Sequence, residues 1–232
     1  DETNSGTSAI NLGFTLLGVG KGDLVMCPTF TYIASVNPVL YLGAEPVFVD
    51  CELQTWCMDP GLLEEALTDL DKKGKRPKAI VVVYAYGMPG RIDELVAVAK
   101  KFEVPILEDA AEALGSTSKG RHMGTIGDVG IISFNNNKIV TTYGGGALLV
   151  KTKDQYQKAL FWATQSRENK PYYEHKEIGF NYRMGPLNAA AGLARLPALE
   201  ERMQLNRVQF QSIKRVLAAI HYSFQEELDG DC

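Results

Sequence analysis

The spacing of apolar positions changes several times along the chain. Residues 8–17 are apolar at helical intervals, with Thr7 as the expected cap and Gly18 and Gly20 as the stop. Residues 24–27 read as a short strand. Residues 32–42 return to a helical spacing, which Pro38 should kink or start late. Residues 46–49 read as a strand, and residues 60–70 as a helix with Pro60 in its first turn. The run AIVVVY at 79–84 is β-branched, typical of a strand buried on both faces. Residues 92–101 then read as a helix and 105–107 as a strand ending at Glu108-Asp109. Residues 129–134 and 147–150 give two more strands, and from Asp154 onward the pattern is mostly helical.

Strands alternating with helices in this way predict an α/β fold with a mostly parallel sheet flanked by helices. Such sheets bind ligands at the carboxyl ends of their strands. The positions of interest are therefore residues 28–32, 84–87, 109–112 and 133–138. Two phosphate-binding motifs are excluded. GVGKG at 18–22 is not G-x-G-x-x-G and follows a helix, and no G-x-x-x-x-G-K-[ST] occurs.

Composition narrows the classes. The chain has 232 residues, 45% hydrophobic and 22% charged, which fits one large folded domain or two small ones and excludes a disordered chain. Lys+Arg is 24 and Asp+Glu is 28, a net charge of −4, which argues against a non-specific nucleic-acid binder. No apolar run approaches the length of about 18 residues that spans a membrane. Cys27, Cys51, Cys57 and Cys232 lack C-x-x-C spacing and lie far from His122, His175 and His221. No metal site is expected, and the thiols read as reduced and cytoplasmic. The cationic run KKGKRPK at 72–78 reads as a solvated loop. The chain opens Asp-Glu-Thr without Met and closes in a polar DGDC tail, so both ends are read as cut.

Two segments carry chemistry. In FNNNK at 134–138 one lysine, Lys138, follows a β-run at the sheet edge. An isolated lysine there is ordinarily a surface residue, but Gly144, Gly145 and Gly146 follow and allow close backbone approach. In EDAAEALG at 108–115, Asp109 ends a buried strand. Alone it would serve as a helix cap. A lysine amine paired with a strand-end aspartate is also what pyridoxal 5'-phosphate requires. The amine condenses with the aldehyde, and the carboxylate keeps the pyridine nitrogen protonated.

Six segments occur in order: Asn4-Ser-Gly-Thr-Ser, PTFTY at 28–32, LYLGAEPVFVD at 40–50, EDAAEALG at 108–115, SFNNNK at 133–138 and GFNYRMG at 179–185. Together they resemble the DegT/StrS family of pyridoxal phosphate-dependent sugar-nucleotide aminotransferases, of type I aspartate-aminotransferase fold. The resemblance implies that Lys138 carries the cofactor and moves protons, and that Asp109 partners the pyridinium. It implies that Tyr32 stacks on the ring and that Thr7, Ser8 and Ser133 receive the phosphate. It places Glu112 near the ring, where a plain helix-surface role is the competing reading. It implies that Asn181 reaches the phosphate of a neighbouring subunit, hence a homodimer. Residues 1–198 would be the cofactor-binding large domain, lacking its N-terminal part. Residues 199–232 would be a long helix leading toward an absent small domain, with an apolar stripe left uncovered.

The implied reaction moves an amine from glutamate to a keto group, at C4, of a nucleotide-linked sugar for polysaccharide or glycan synthesis. A 3-keto sugar, a non-nucleotide ketone and a non-catalytic scaffold are the alternatives. Arg167 and Arg183 are candidates for a diphosphate, and His175 for a substrate ligand or a structural donor. The chain departs from the family at Tyr84-Ala85-Tyr86-Gly87, at Gly185-Pro186, and at Arg195 and Pro197. Arg195 reads as a solvated helix residue, and Pro197 should kink or end its helix.

Overall fold

The computed structural model describes residues 2–217, 220 and 222–231, so His221 and Cys232 lie outside the described residues. The strands are β1 (Glu2–Thr3), β2 (Leu24–Pro28), β3 (Glu45–Val49), β4 (Ala79–Val83), β5 (Ile106–Asp109), β6 (Thr117–Ser118), β7 (Arg121–His122), β8 (Val129–Ser133) and β9 (Gly146–Val150). The helices are α1 (Gly6–Leu16), α2 (Asn37–Tyr41), α3 (Pro60–Lys72), α4 (Ile92–Lys101), α5 (Lys153–Ala163), α6 (Pro186–Arg195) and α7 (Leu199–Leu217). Seven strands form one sheet in the order β1-β9-β8-β5-β4-β2-β3, and β6 pairs with β7 in a separate hairpin. Strands β2, β3, β4, β5 and β8 run parallel, while β9 and β1 close one edge antiparallel.

Alternation across the sheet explains the two cores. In β4, Ala79, Val81 and Val83 face a cluster with Ile10, Leu12 and Phe14 of α1 and Ala159 and Ala163 of α5. Ile80 and Val82 face the opposite cluster, with Leu63 and Leu67 of α3 and Ile92 and Leu95 of α4. Period two puts successive side chains on opposite faces, so a strand covered on both sides must be apolar throughout. Each fully buried leucine, such as Leu63 or Leu95, contributes about 1.5–3 kcal/mol. Glycine inside α1 has a packing reason: a Cβ on Gly13 would meet Leu107 at 2.8 Å and Val129 at 3.2 Å. It lets the helix lie close on the sheet.

Caps fix the helix starts. Asp59 accepts from the Gly61 and Leu62 amides with Pro60 in the first turn of α3, and Thr152 and Gln155 form a capping box on α5. Helix α4 places Asp93 and Glu94 in its first turn and Lys100 and Lys101 in its last, matching the helix dipole. For α1 the cap is Ser5 rather than Thr7: the Ser5 side chain accepts from the Ser8 amide, and Thr7 lies inside the first turn.

Two further expectations are corrected. Residues 32–42 are a 3-10 turn at Ile33–Ser35 followed by α2, not one helix. Pro38 sits in the first turn of α2, where its missing N–H costs nothing. The region after Asp154 is not continuously helical, because α5 ends at Ala163 and residues 164–185 are irregular. Gln165 and Ser166 take φ of 72° and 51°, and a Cβ on Gly179 would come within 2.4 Å of the Gln165 carbonyl carbon. That close return of the chain replaces helical packing. Pro197 behaves as expected, since α6 ends at Arg195 and a 3-10 turn at Leu196–Ala198 leads into α7. On α7, Leu205, Val208, Ile213 and Val216 are more than half exposed. The chain after α7 turns back, with the Glu226 amide donating to the Gln54 carbonyl and the Lys119 amide to the Gly230 carbonyl.

Candidate active site

Strands β5 and β8 lie side by side, and their carboxyl ends bring the candidate residues together. Asp109 is the last residue of β5 and is 3% exposed. Its Oδ2 accepts from the Ser35 hydroxyl at 2.6 Å, and its Oδ1 from the Ala111 amide at 3.1 Å. Burial pushes the Asp109 carboxyl above its ordinary range, and the Ser35 hydroxyl, the Ala111 amide and the Lys138 cation pull it part of the way back.

Lys138 lies on the loop between β8 and β9 with 16% of its side chain exposed. Its Nζ stands 3.1 Å from Glu112 Oε1, and Glu112 Oε2 accepts from the Tyr86 amide at 2.9 Å. Glu112 is thereby tied to Lys138 rather than left free on a helix surface. Tyr86 has φ of 56°, a left-handed conformation that costs a tyrosine about 1–3 kcal/mol and here aims its amide at Glu112. Below, the preceding strand residue Glu108 is fully buried and accepts from the Tyr84 hydroxyl and from the amides of Gly124, Ile126 and Gly127. This network fixes the strand ends from beneath.

An anion cradle adjoins the pair. The Gly6 and Thr7 amides open α1 without an intrahelical partner, at the positive end of the dipole, while the Ser8 amide donates to the Ser5 side chain. Ser133, at the end of β8, abuts them: a Cβ on Gly6 would stand 3.0 Å from Ser133 Cβ. A Cβ on Gly146 would stand 2.6 Å from the Ser5 carbonyl oxygen and 2.7 Å from the Gly6 amide. Side chains at either position would fill the cradle. Thr7, in the first turn of α1, is half-buried. The Ser8 hydroxyl is already engaged, donating to Asn4 Oδ1 at 2.7 Å.

Other expected residues are placed as follows. Tyr32 precedes the 3-10 turn that delivers Ser35 to Asp109, and its side chain is 80% exposed. Asn181 is exposed, and its carbonyl accepts from Asn4 Nδ2 at 3.1 Å, beside the start of α1 in the same chain. The Arg167 guanidinium lies 4.3 Å over the Tyr173 ring, and Arg183 is bridged to Thr3. His175 Nδ1 is 2.9 Å from the Gln165 carbonyl, a structural contact. Arg195 is not a solvated helix residue, because its Nη2 donates to the Tyr143 hydroxyl at 2.7 Å and it covers the Tyr143 ring.

Sequence reasoning missed Ser35 and the Tyr86 amide. Ser35 offered the signal of a small hydroxyl four residues from Thr31, whose Oγ1 it meets at 2.8 Å. It also missed an aromatic wall in which Phe30, Trp56 and Tyr86 meet with centroids 6.0–6.3 Å apart. No cluster of three or more metal-ligating side chains occurs among the described residues.

The residues present fit pyridoxal phosphate. A buried carboxylate whose charge is disfavoured would be relieved by a cationic ring nitrogen, the cradle suits a phosphate, and one amine stands near. The arrangement defines a class: an α/β fold with a strand-end site for a phosphorylated, amine-reactive ligand. The profile of the DegT/DnrJ/EryC1/StrS aminotransferase family matches residues 2–231, and the chain belongs to that family.

Relatives agree. The chain is 46% identical over 213 residues to EpsN of Bacillus subtilis (strain 168), whose name suggests a pyridoxal phosphate-dependent aminotransferase; the match covers 92% of this chain and 55% of EpsN. It is 39% identical to the GDP-perosamine synthase of Escherichia coli O157:H7, covering 94% of this chain and 56% of that one. A DegT DnrJ EryC1 StrS aminotransferase from Brucella abortus superposes with a TM-score of 0.93 at 29% identity, covering 99% of this chain and 62% of that structure. The chain thus spans about half the length of the curated relatives it matches.

Proposed function

We propose that the chain forms the cofactor-binding core of a pyridoxal phosphate-dependent aminotransferase. In this reading it transfers an amine from glutamate to the C4 keto group of a nucleotide-linked sugar, for polysaccharide or glycan synthesis in the cytoplasm. The observation that carries the reading is the placement of buried Asp109 at the end of β5, with Lys138 on the loop that follows neighbouring β8 and Glu112 beside it. When bound, the cofactor supplies an aldehyde that accepts amines and a ring that accepts electrons. Asp109 holds a proton on the ring nitrogen. Glu112 orients the Lys138 amine, and Lys138 would serve as general base and acid, taking up and returning a proton at Nζ. Thr7, Ser8, Ser133 and the first-turn amides of α1 receive the phosphate, and Tyr32 covers the ring face. Residues 1–198 are the cofactor-binding unit, and residues 199–232 extend from it.

That the substrate is a nucleotide-linked keto sugar rests on the relatives' names; one of them, a UDP-2-acetamido-2-deoxy-3-oxo-D-glucuronate aminotransferase of Pseudomonas aeruginosa, 36% identical over 88% of this chain and 55% of its own length, is named for a 3-oxo sugar and favours the 3-keto alternative to C4. The aromatic wall of Phe30, Trp56 and Tyr86 suits stacking against a sugar face or a base. Free Cys27, Cys51 and Cys57 suit a reducing compartment, and among the described residues no helix is long and apolar enough to cross a membrane. The test is borohydride reduction of the protein loaded with pyridoxal phosphate, then peptide mapping, with keto-sugar nucleotides and glutamate assayed for 2-oxoglutarate release. The pyridoxyl group is expected on Lys138. A label on another lysine would overturn the Lys138 assignment, and a colourless protein would favour a non-catalytic scaffold.

A further inference from the structure

The loop that carries Lys138, residues 134–145, is neither helix nor β-ladder, yet its backbone is held at several points. Its ends are closed by the Phe134 amide donating to the Gly145 carbonyl at 2.9 Å and the Thr142 amide to the Phe134 carbonyl at 2.9 Å. Immediately after Lys138 its carbonyls need other partners, because Val140, Thr141 and Thr142 are buried at 1%, 8% and 2% exposure. Those partners come from the last two helices. Asn188 Nδ2 of α6 donates to the Thr142 carbonyl at 2.7 Å. Arg195, the last residue of α6, donates through Nη1 to the Thr141 carbonyl at 3.3 Å and through Nη2 to the Tyr143 hydroxyl at 2.7 Å. Arg202 Nη1 of α7 donates to the Ile139 carbonyl at 2.9 Å.

Tyr143 takes φ of 65°, which an L side chain rarely adopts, and the Arg195 guanidinium lies 4.7 Å over its ring. The strained residue is held by the same side chain that takes up the carbonyl two residues earlier. Helix α7 also touches the other half of the site: a Cβ on Gly115, three residues past Glu112, would stand 2.4 Å from Met203 Sδ. One helix pair therefore backs both members of the Lys138–Glu112 pair.

We propose that Asn188, Arg195 and Arg202 are positioning residues for Lys138, acting by taking up the carbonyls of the loop that carries it. The proposal rests on the assignment of Lys138 as the reactive amine. A planar guanidinium spans Thr141 and Tyr143 at once, whereas a lysine at that position donates from a single point. Each lost hydrogen bond lets the loop sample other conformations and exposes the Lys138 side chain, now 16% accessible.

Trace acetylation of the cofactor-free full chain tests this without relying on turnover. Lys138 labelling is read by peptide mass mapping against Lys158, whose partner Glu177 lies outside the loop. Asn188→Ala, Arg195→Ala and Arg202→Ala are expected to raise the Lys138/Lys158 ratio roughly five-fold each, as loss of one ordinary intramolecular hydrogen bond would. Arg195→Lys and Tyr143→Phe should raise it less. A ratio unchanged in every folded variant, with or without a lower melting temperature, overturns the proposal. Pyridoxal phosphate added to the same samples separates the two claims. A wild-type chain that stays colourless defeats the functional reading, while the labelling ratios still decide the positioning of Lys138.

Discussion

Asp109 ends β5 almost fully buried, and burial outweighs the Ser35 and Ala111 hydrogen bonds and the Lys138 charge to raise its pKa above 3.8. The sign follows from linkage. The folded chain binds the proton more tightly than the unfolded one, so the carboxyl favours folding at low pH, and that contribution is lost as pH rises through 3.8 toward the folded value. Asp109→Asn should therefore stabilise the cofactor-free protein at neutral pH, by on the order of 1–3 kcal/mol, the scale on which an incompletely paired buried charge costs a fold. The same variant should lose turnover by several orders of magnitude in the loaded enzyme. Thermal melts of wild type and Asp109→Asn from pH 3 to 8 check the first part, and parallel profiles would refute it. The placing of Asp109 and Ser133 at strand ends, and of Lys138 on the loop after β8, was legible because each stands at the end of a β-run or shortly after one. Ser35 was not, because a serine between apolar residues at helical spacing carries no sign of the carboxylate it meets. Arg195 was misread for a related reason: on a helix with an exposed face, an arginine's partner loop cannot be read from its own neighbours.

At the scale of elements, the packing of α1 against β9 makes the cradle. Gly146 has no Cβ because the Ser5 carbonyl and the Gly6 amide occupy its place. Gly146→Ala forces the start of α1 away from β9 or bends the edge strand. Overpacking of this kind costs about 1–3 kcal/mol. It also turns the first-turn amides off their common focus, so the cofactor should bind at least several-fold more weakly. Fluorescence titration with pyridoxal phosphate, alongside the melting temperature, checks both; unchanged affinity in a destabilised variant would divorce α1 from the phosphate. The parallel strands and α3 and α4 were readable from β-branched runs, a first-turn proline and helical periodicity. The irregular stretch at residues 164–185 was not, since charged and aromatic residues there show no period. Its course is set by the Thr164–Asn181 and Arg167–His175 bridges, which join residues distant in sequence. Helix α1 was placed correctly but capped wrongly, because Ser5 and Thr7 are equally good caps in composition and only geometry chooses Ser5.

For the whole molecule, the open question is whether one chain completes its own site. The GFNYR segment lies against the start of α1 in its own subunit: the Asn4 amide donates to the Tyr182 carbonyl, Asn4 Nδ2 donates to the Asn181 carbonyl, and Asn11 Nδ2 donates to the Tyr182 hydroxyl. These contacts hold Asn181 by its backbone and leave its side chain on an exposed residue. On the two-fold homodimer that the resemblance in the sequence implies, we propose that this amide serves the partner's phosphate, a charged acceptor for which a hydrogen bond contributes about 1.5–3 kcal/mol. Mixing Lys138→Ala and Asn181→Ala subunits separates the two geometries in the full-length enzyme. If Asn181 acts on the partner, each heterodimer has one site with both defects and one with neither, and random exchange should restore about a quarter of all sites. If Asn181 acts on its own subunit, every heterodimer site keeps one defect and nothing is regained. Recovery near a quarter of wild-type activity is the expected result. Its absence after verified exchange would return Asn181 to its own chain, where Asn4 already holds it, and would leave the Lys138 and Asp109 assignments untouched.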